Sequence, residues 1–329
     1  MRSRADRSRN SIVKTYHDLL NSDADITMPV AAIESLIELL RVTPSSTAME
    51  TVEIVKKEKQ RLLDSAPNPL PLLAGADLFE QTLLRSLRGQ TVGATDRVLS
   101  FEETRQHLLQ NRQLFAQRAK AARDNIAIHG ARYVLDGKVV LAAGGSRAVT
   151  KILLHAATDP KKHFKVIYVV DGSPRAQASV DALRAAGLDV STIGTHRVSS
   201  VLRDQGGINL VLVGTEVVLQ NGGIISRMGT HQLAVLTKHV KSPYRRLYVA
   251  AETHKIVRKT CLMYPPVQRV GIKQRDLSKF KDIGVAEITE EMLAEDDEVD
   301  YVEPDLIAGI ITEQGVKMPS QIWEMVDYN

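Results

Sequence analysis

The chain has 329 residues, of which 43% are hydrophobic, 25% charged and 4% aromatic, and its formal net charge is +4. That length exceeds the roughly 250–300 residues at which one hydrophobic core stops growing, so two folded units are expected. No run approaches the roughly 18 apolar residues of a membrane span, no apolar leader follows Arg2, Arg4, Arg7 and Arg9, and the sparse aromatics leave few platforms for stacking bases; membrane insertion, a secretory leader and direct nucleic-acid binding are therefore disfavoured. Cys261 is the single cysteine, which excludes an internal disulfide framework and a multi-cysteine metal site and fits a reducing compartment such as the cytosol.

From Ser11 to about Gly130 the pattern is helical. Val30, Ile33, Ile37 and Leu40 recur at spacings of three and four and so share one face, with Thr27 ahead of Pro29 as the start. Val52, Val55, Leu62 and Leu63 continue the pattern, and Pro67, Asn68, Pro69 and Pro71 break it before a helix expected over about residues 77–88, ending near Gly89 and Gly93. A longer helix over about residues 101–127 carries Leu108, Leu109, Leu114, Phe115 and Ala119 among many charges. These elements define an N-terminal helical domain, residues 1–130.

After Gly137 the period changes. Short β-branched runs at 139–143, 166–170, 190–193, 210–213 and 247–250 alternate with helical stretches of ten or so residues. That alternation predicts an α/β domain, residues 131–329, with a Rossmann-like parallel sheet covered on both faces. Near the end, the acidic run Glu295 to Asp300 reads as a solvated loop, and the apolar run Leu306 to Ile311 as either core or a subunit contact, together with Met263, Tyr264, Pro265 and Pro266.

Ligands of an open parallel sheet gather beyond the carboxyl ends of the strands. The first such turn offers Gly144, Gly145, Ser146 and Arg147, whose glycines, helix start, hydroxyl and guanidinium are the makings of an oxyanion or phosphate cradle. The second offers Asp171, Gly172 and Ser173, the fourth Gly214, Thr215 and Glu216, and the fifth Glu252, His254 and Lys255. Residues 213–230 are too glycine-rich and polar for a plain crossover helix and read as a shaped loop, in which Asn221, Gly222 and Gly223 suit either a hairpin-like reversal or a polyol contact. No GxGxxG or P-loop occurs, so a standard dinucleotide or nucleoside triphosphate site is not expected. Together the turns suit a phosphorylated polyol.

The pattern Glu-x-x-x-x-Asn-Gly-Gly-Ile-Ile-x-Arg-x-Gly-Thr from Glu216 to Thr230 resembles the signature shared by the alpha, beta and delta subunits of initiation factor 2B and their sugar-phosphate isomerase relatives. Matching segments follow in the same order: residues 28–41, 137–152, 250–258 and 299–319. The alpha type fits best, because the chain is short and starts almost directly with the helical domain. The resemblance implies a helical domain followed by a Rossmann-like domain of the isomerase and CoA-transferase type. It also implies a homodimer within a decameric exchange factor that contains beta, gamma, delta and epsilon subunits, and contact with the phosphorylated alpha subunit of initiation factor 2 that inhibits exchange under stress. A phosphate-binding arginine for that contact is not legible, and the N-terminal helices or the tail near Tyr328 are the regions expected to make it.

The isomerase relatives use a cysteine after the first strand and an aspartate in the NGG-type loop; the positions that match here are Gly144 and Glu216. A proton-transferring group contributes typically 10²- to 10⁴-fold, and glycine carries none. A regulatory subunit without catalytic residues is the expectation, an aldose-ketose isomerase the alternative. The inherited crevice would need no cofactor or metal but would admit a sugar phosphate or a nucleotide monophosphate on Gly144, Gly145, Ser146, Arg147, Glu216, Asn221, Gly222, Gly223, Arg227 and Lys255.

Overall fold

The computed structural model describes residues 11–23, 25–43, 45, 47–87, 112–204, 207–240, 245–258, 272 and 299–327. Two compact units make up the chain, Met1–Ala121 and Ala122–Asn329. Cys261, Met263 to Pro266, Glu295 to Glu298, Gly89, Gly93 and Tyr328 lie outside the described residues.

The first unit is helical. It contains α1 (Ser11–Ser22), α2 (Met28–Val42), α3 (Ala48–Asp64), α4 (Leu70–Leu87) and the start of α5 (Arg112–Ala131). Ile33, Ile37 and Leu40, the face read from spacing, are buried with Leu36 of α2, Phe79 and Leu83 of α4 and Val55 of α3. Thr27 is extended at the α2 N-cap but makes no capping hydrogen bond with its side chain, and Pro29 fills the first turn. Thr47 does cap α3, accepting from Glu50 N–H at 3.2 Å. Helix α4 corrects the expectation of a start near residue 77. It begins at Leu70, because Pro69 and Pro71 lie at or ahead of its first turn, where a missing N–H costs nothing. Helix α5 runs to Ala131 rather than Ala127, and the division between the units falls inside it.

Buried charge ties α3 to α4. Lys59 pairs with Asp77 and, at 2.8 Å, with Glu80, both carboxylates being almost fully buried. Gly75 lets α4 pass close to α2: a Cβ there would stand 2.1 Å from the Pro29 carbonyl oxygen.

The second unit holds a seven-stranded sheet in the order β10-β9-β7-β4-β1-β2-β3. Its strands are β1 (Val139–Ala143), β2 (Lys165–Val170), β3 (Asp189–Gly194), β4 (Ile208–Gly214), β7 (Arg246–Ala250), β9 (Gly309–Thr312) and β10 (Gly315–Lys317). All pairings are parallel except that of β10 with β9. Helices α6 (Arg147–Ala157), α7 (Pro174–Ala185), α8 (Val198–Asp204) and α9 (Thr230–His239) make the crossovers, and α10 (Ile322–Asp327) follows the sheet. The five expected strands are all present. Strand β4 shows why they were legible: Leu210, Val211, Leu212 and Val213 are each at most 2% exposed, the continuous apolar run of a strand covered on both faces.

A second sheet of order β5-β6-β8 contains β5 (Val217–Val218), β6 (Ile224–Arg227) and β8 (Val299–Val302), all antiparallel. One expectation changes here, and one pair of alternatives is narrowed to the core. Asp300 sits in β8, paired with Ser226, and not in a solvated loop. The apolar run Leu306 to Ile311 leads into β9, where Ile310 and Ile311 are fully buried in the core. Among the described residues no helix is long and apolar enough to cross a membrane.

Candidate functional site

The strand order reverses at the junction of β1 and β4: from β1 the chain proceeds to β2 and β3 on one side, then crosses to β4 and β7 on the other. Loops diverge at such a point and leave a crevice beyond the carboxyl ends. Gly214, the last residue of β4, brings its backbone against the turn after β1, since a Cβ there would lie 2.3 Å from Ser146 Oγ. Gly144 and Gly145 turn the chain with φ of +83° and +61°, the left-handed region where a side chain is strained. Tyr168, buried in β2, accepts a hydrogen bond from Gly145 N–H at 3.1 Å. Ser146 caps α6, its Oγ accepting from Val149 N–H at 3.4 Å, and Arg147 opens that helix, half-buried. These residues form a turn feeding a helix start, with one of its N–H groups already satisfied by Tyr168.

At the carboxyl end of β7, Glu252 is 2% exposed. Lys255 Nζ lies 2.9 Å from its Oε2 and donates to the Thr215 carbonyl at 3.0 Å, joining the turns after β7 and β4. Arg123 of α5, 1% exposed, places Nε 3.9 Å from Glu252 Oε1. Burial opposes the charge on Glu252, but Lys255 and neighbouring His254 outweigh it and hold its pKa at about 2. Burial likewise disfavours the imidazolium of His254, and Lys255, Arg123 and Arg147 add to this against the pull of Glu252, so its pKa falls to about 4. The imidazole is thus neutral at pH 7 in a cluster of three cations.

Beside these turns an open depression is lined by Ala143, Gly144, Asp171, Thr195, Met228 and Thr230, among others. Asp171 accepts from Ser173 N–H at 2.9 Å and Ser173 Oγ at 2.6 Å. Arg227 Nε stands 3.7 Å from the other oxygen of Asp171. Burial works against ionisation of Asp171, yet Ser173 and Arg227 prevail and its pKa lies below the ordinary value. Helix α9 opens beside the depression, and Asp300 Oδ2 accepts from Gly229 N–H at 2.6 Å and His231 N–H at 3.1 Å. Burial raises the Asp300 pKa against those hydrogen bonds.

The residues singled out in the sequence divide into three groups. Gly144 lines the depression and Arg227 borders it through Asp171. Gly145, Ser146, Arg147 and Lys255 frame the crevice at the ends of β1, β4 and β7, where Glu216 follows β4, half-buried, its N–H donating to the Ile225 carbonyl at 3.0 Å. Asn221, Gly222 and Gly223 do not line the depression; they form the reversal between β5 and β6. Asn221 Oδ1 accepts from Gly223 N–H at 2.9 Å, and its amide donates to Tyr301 Oη at 3.1 Å. Sequence reasoning missed Arg123, Thr195, Met228 and Asp300. Arg123 is one arginine in a charged helix, and nothing local marks it as buried. Asp300 could be noticed only as the acidic residue that falls on a β8 position facing α9. Among the described residues no group of three or more His, Cys, Asp or Glu side chains is placed to hold a metal ion.

A helical unit followed by a Rossmann-like unit with a polar crevice at its switch point defines the class of protein. Within that class the chain belongs to the initiation factor 2 subunit family, whose pattern matches residues 21–319. It is 26% identical over 318 residues to translation initiation factor eIF2B subunit alpha of Dictyostelium discoideum, covering 94% of both chains. It is 27% identical over 282 residues to a 5-deoxyribose 1-phosphate isomerase of Bacillus anthracis, covering 82% of this chain and 76% of that one. Its fold is like that of eIF2B beta from Chaetomium thermophilum, with a TM-score of 0.71 at 16% identity over 98% of this chain and 91% of that one.

Proposed function

We propose that the chain is a non-catalytic, alpha-type regulatory subunit of the guanine nucleotide exchange factor for initiation factor 2. In this reading it pairs with a second copy, assembles with beta, gamma, delta and epsilon subunits in the cytosol, and helps to sense the phosphorylated alpha subunit of initiation factor 2, lowering exchange under stress. The observation that carries the reading is the end-to-end likeness to an alpha subunit rather than to one domain of it. Affinity purification from cell extract should recover the other four subunits in stable proportion; recovery of the chain alone would overturn the proposal.

The absence of catalysis rests on Gly144. It brings no nucleophile or proton carrier to the turn after β1, and its φ of +83° disfavours any residue that could. Incubation with ribose 1-phosphate or 5-deoxyribose 1-phosphate is expected to give no ketose above background. Turnover at enzyme-like speed would sink this part of the proposal.

The same crevice is read as a site for a phosphorylated polyol, a sugar phosphate or a nucleotide monophosphate, because the α6 start, Arg147 and Lys255 favour an anion while the half-buried Glu216 brings a carboxylate to the same rim. Ligand at a hundredfold excess over Kd adds about 2.7 kcal/mol to the folded state, which raises Tm by roughly 5–10 °C for a unit of this size. A thermal-shift series of pentose and hexose phosphates should show such a rise for at least one member, and a flat series at millimolar concentration would retire the ligand.

A further inference from the structure

The start of α9 is a helix N-terminus beside the depression, the kind of place where backbone N–H groups and the helix dipole favour a ligand's negative charge. Here that place is already taken. Asp300 reaches it from β8, and one carboxylate oxygen accepts from both Gly229 N–H and His231 N–H. The backbone N–H groups that would meet a phosphate are therefore spent on an anion supplied by the chain. Thr230 strengthens the closure, since its Oγ1 donates to the Arg227 carbonyl at 2.6 Å. On the same side of the depression Asp171 adds a second carboxylate, with Arg227 Nε 3.7 Å from it. The wall formed by Val169, Val198, Leu233 and Met228 is apolar. Beyond Gly144 the balance differs, for Arg147 heads α6 while Arg123 and Lys255 gather about Glu252.

We propose that Asp300 is a built-in anion that closes the α9 start to phosphate, so that the depression takes the uncharged, hydroxyl-bearing end of a phosphorylated ligand and leaves the phosphate to the turn after β1. The inference rests on the reading of the crevice as a sugar-phosphate site, but its central claim concerns Asp300 alone and can be tested apart from that reading. It makes Asp300 a specificity-determining residue that touches no phosphate itself. Its effect is to exclude a second anion from one end of the site.

Amide hydrogen exchange on the full chain, with inorganic phosphate as probe, separates the two claims. In the unsubstituted protein phosphate should slow exchange in peptides covering residues 144–149 and leave those covering 229–233 unchanged. In Asp300→Ala and Asp300→Ser, which shorten the side chain and free both N–H groups, peptides covering 229–233 should exchange about tenfold faster without phosphate and recover most of that protection with it. Protection of 229–233 by phosphate in the unsubstituted protein would overturn the proposal, and so would its absence in both folded variants. If phosphate leaves 144–149 unprotected while the variants behave as stated, the sugar-phosphate reading fails and the role of Asp300 stands. Should neither variant fold, the unsubstituted protein decides, because protection confined to 144–149 supports the closure and protection at 229–233 rejects it.

Discussion

Replacing Glu252 with glutamine is expected to cost about 3 kcal/mol at pH 7, and the loss should shrink as the pH is lowered towards 2. The ordinary pKa of 4.5 drops to about 2 in the fold. A drop of that size is equivalent to about 3 kcal/mol, and breaking a buried pair by removing one partner costs a similar ~3–5 kcal/mol. The sign follows from the direction: a depressed carboxyl contributes stability that is fully present above the unfolded value and lost as the pH falls through the folded one. Glutamine keeps the shape but leaves Arg123 and Lys255 without the charge that compensates them.

His254 sets a second window above the first. It stays neutral in the fold to about pH 4, whereas the unfolded chain protonates near 6.5. Stability is therefore lost between those values on acidification, and His254→Asn should flatten that part of the profile. Urea unfolding at pH 7, 5 and 3, followed by circular dichroism, measures both windows. The two groups touch one cluster, so their effects should not add. A Glu252→Gln profile parallel to that of the unsubstituted protein between pH 4.5 and 2 would show that Glu252 carries no such linkage.

The parts of this molecule that could be read in advance are those written in one local pattern. Val139–Ala143 and Leu210 to Val213 are apolar on both faces and short, so they announce buried parallel strands. The three-and-four spacing of Val30, Ile33, Ile37 and Leu40 likewise announces α2, although that helix is buried nearly all round, Ala31, Ala32, Glu34 and Ser35 included. What stayed hidden depends on partners far along the chain. Val299–Val302 pairs with a strand more than seventy residues earlier, so the acidic stretch before it masked its strand character. Arg123 is buried because Glu252 lies opposite, a pairing across 129 positions that neither segment announces. The turn residues after the strands were legible as a group because the switch-point rule locates them, but their division between crevice, depression and hairpin was not. Asn221 illustrates the reason: its amide could serve a polyol or the bend equally well, and only the position of Tyr301 decides.

Gly222→Ala should cost about 3 kcal/mol and loosen the segment that follows β10. Two effects combine at this residue. Its φ is +82°, which an L side chain occupies at a cost of roughly 1–2 kcal/mol. A Cβ would also stand 2.2 Å from the Pro319 carbonyl oxygen, a backbone atom that no rotamer change can move aside, and overpacking of this kind adds typically 1–3 kcal/mol. Gly187→Ala supplies the control, for its φ is likewise +82° but nothing lies within 4 Å of the added methyl group. The difference between the two variants in urea unfolding isolates the contact with Pro319. Hydrogen exchange over Ile322–Asp327 should rise in Gly222→Ala alone, since α10 continues from the 3-10 turn Pro319–Gln321. Equal costs for the two variants would mean that the bend yields without disturbing Pro319. If the costs differ as stated, the Asn-Gly-Gly sequence owes its form to the docking of a hairpin on the Pro319–Gln321 turn, and the chemistry of the crevice has to be sought in Arg147, Glu216 and Lys255 instead.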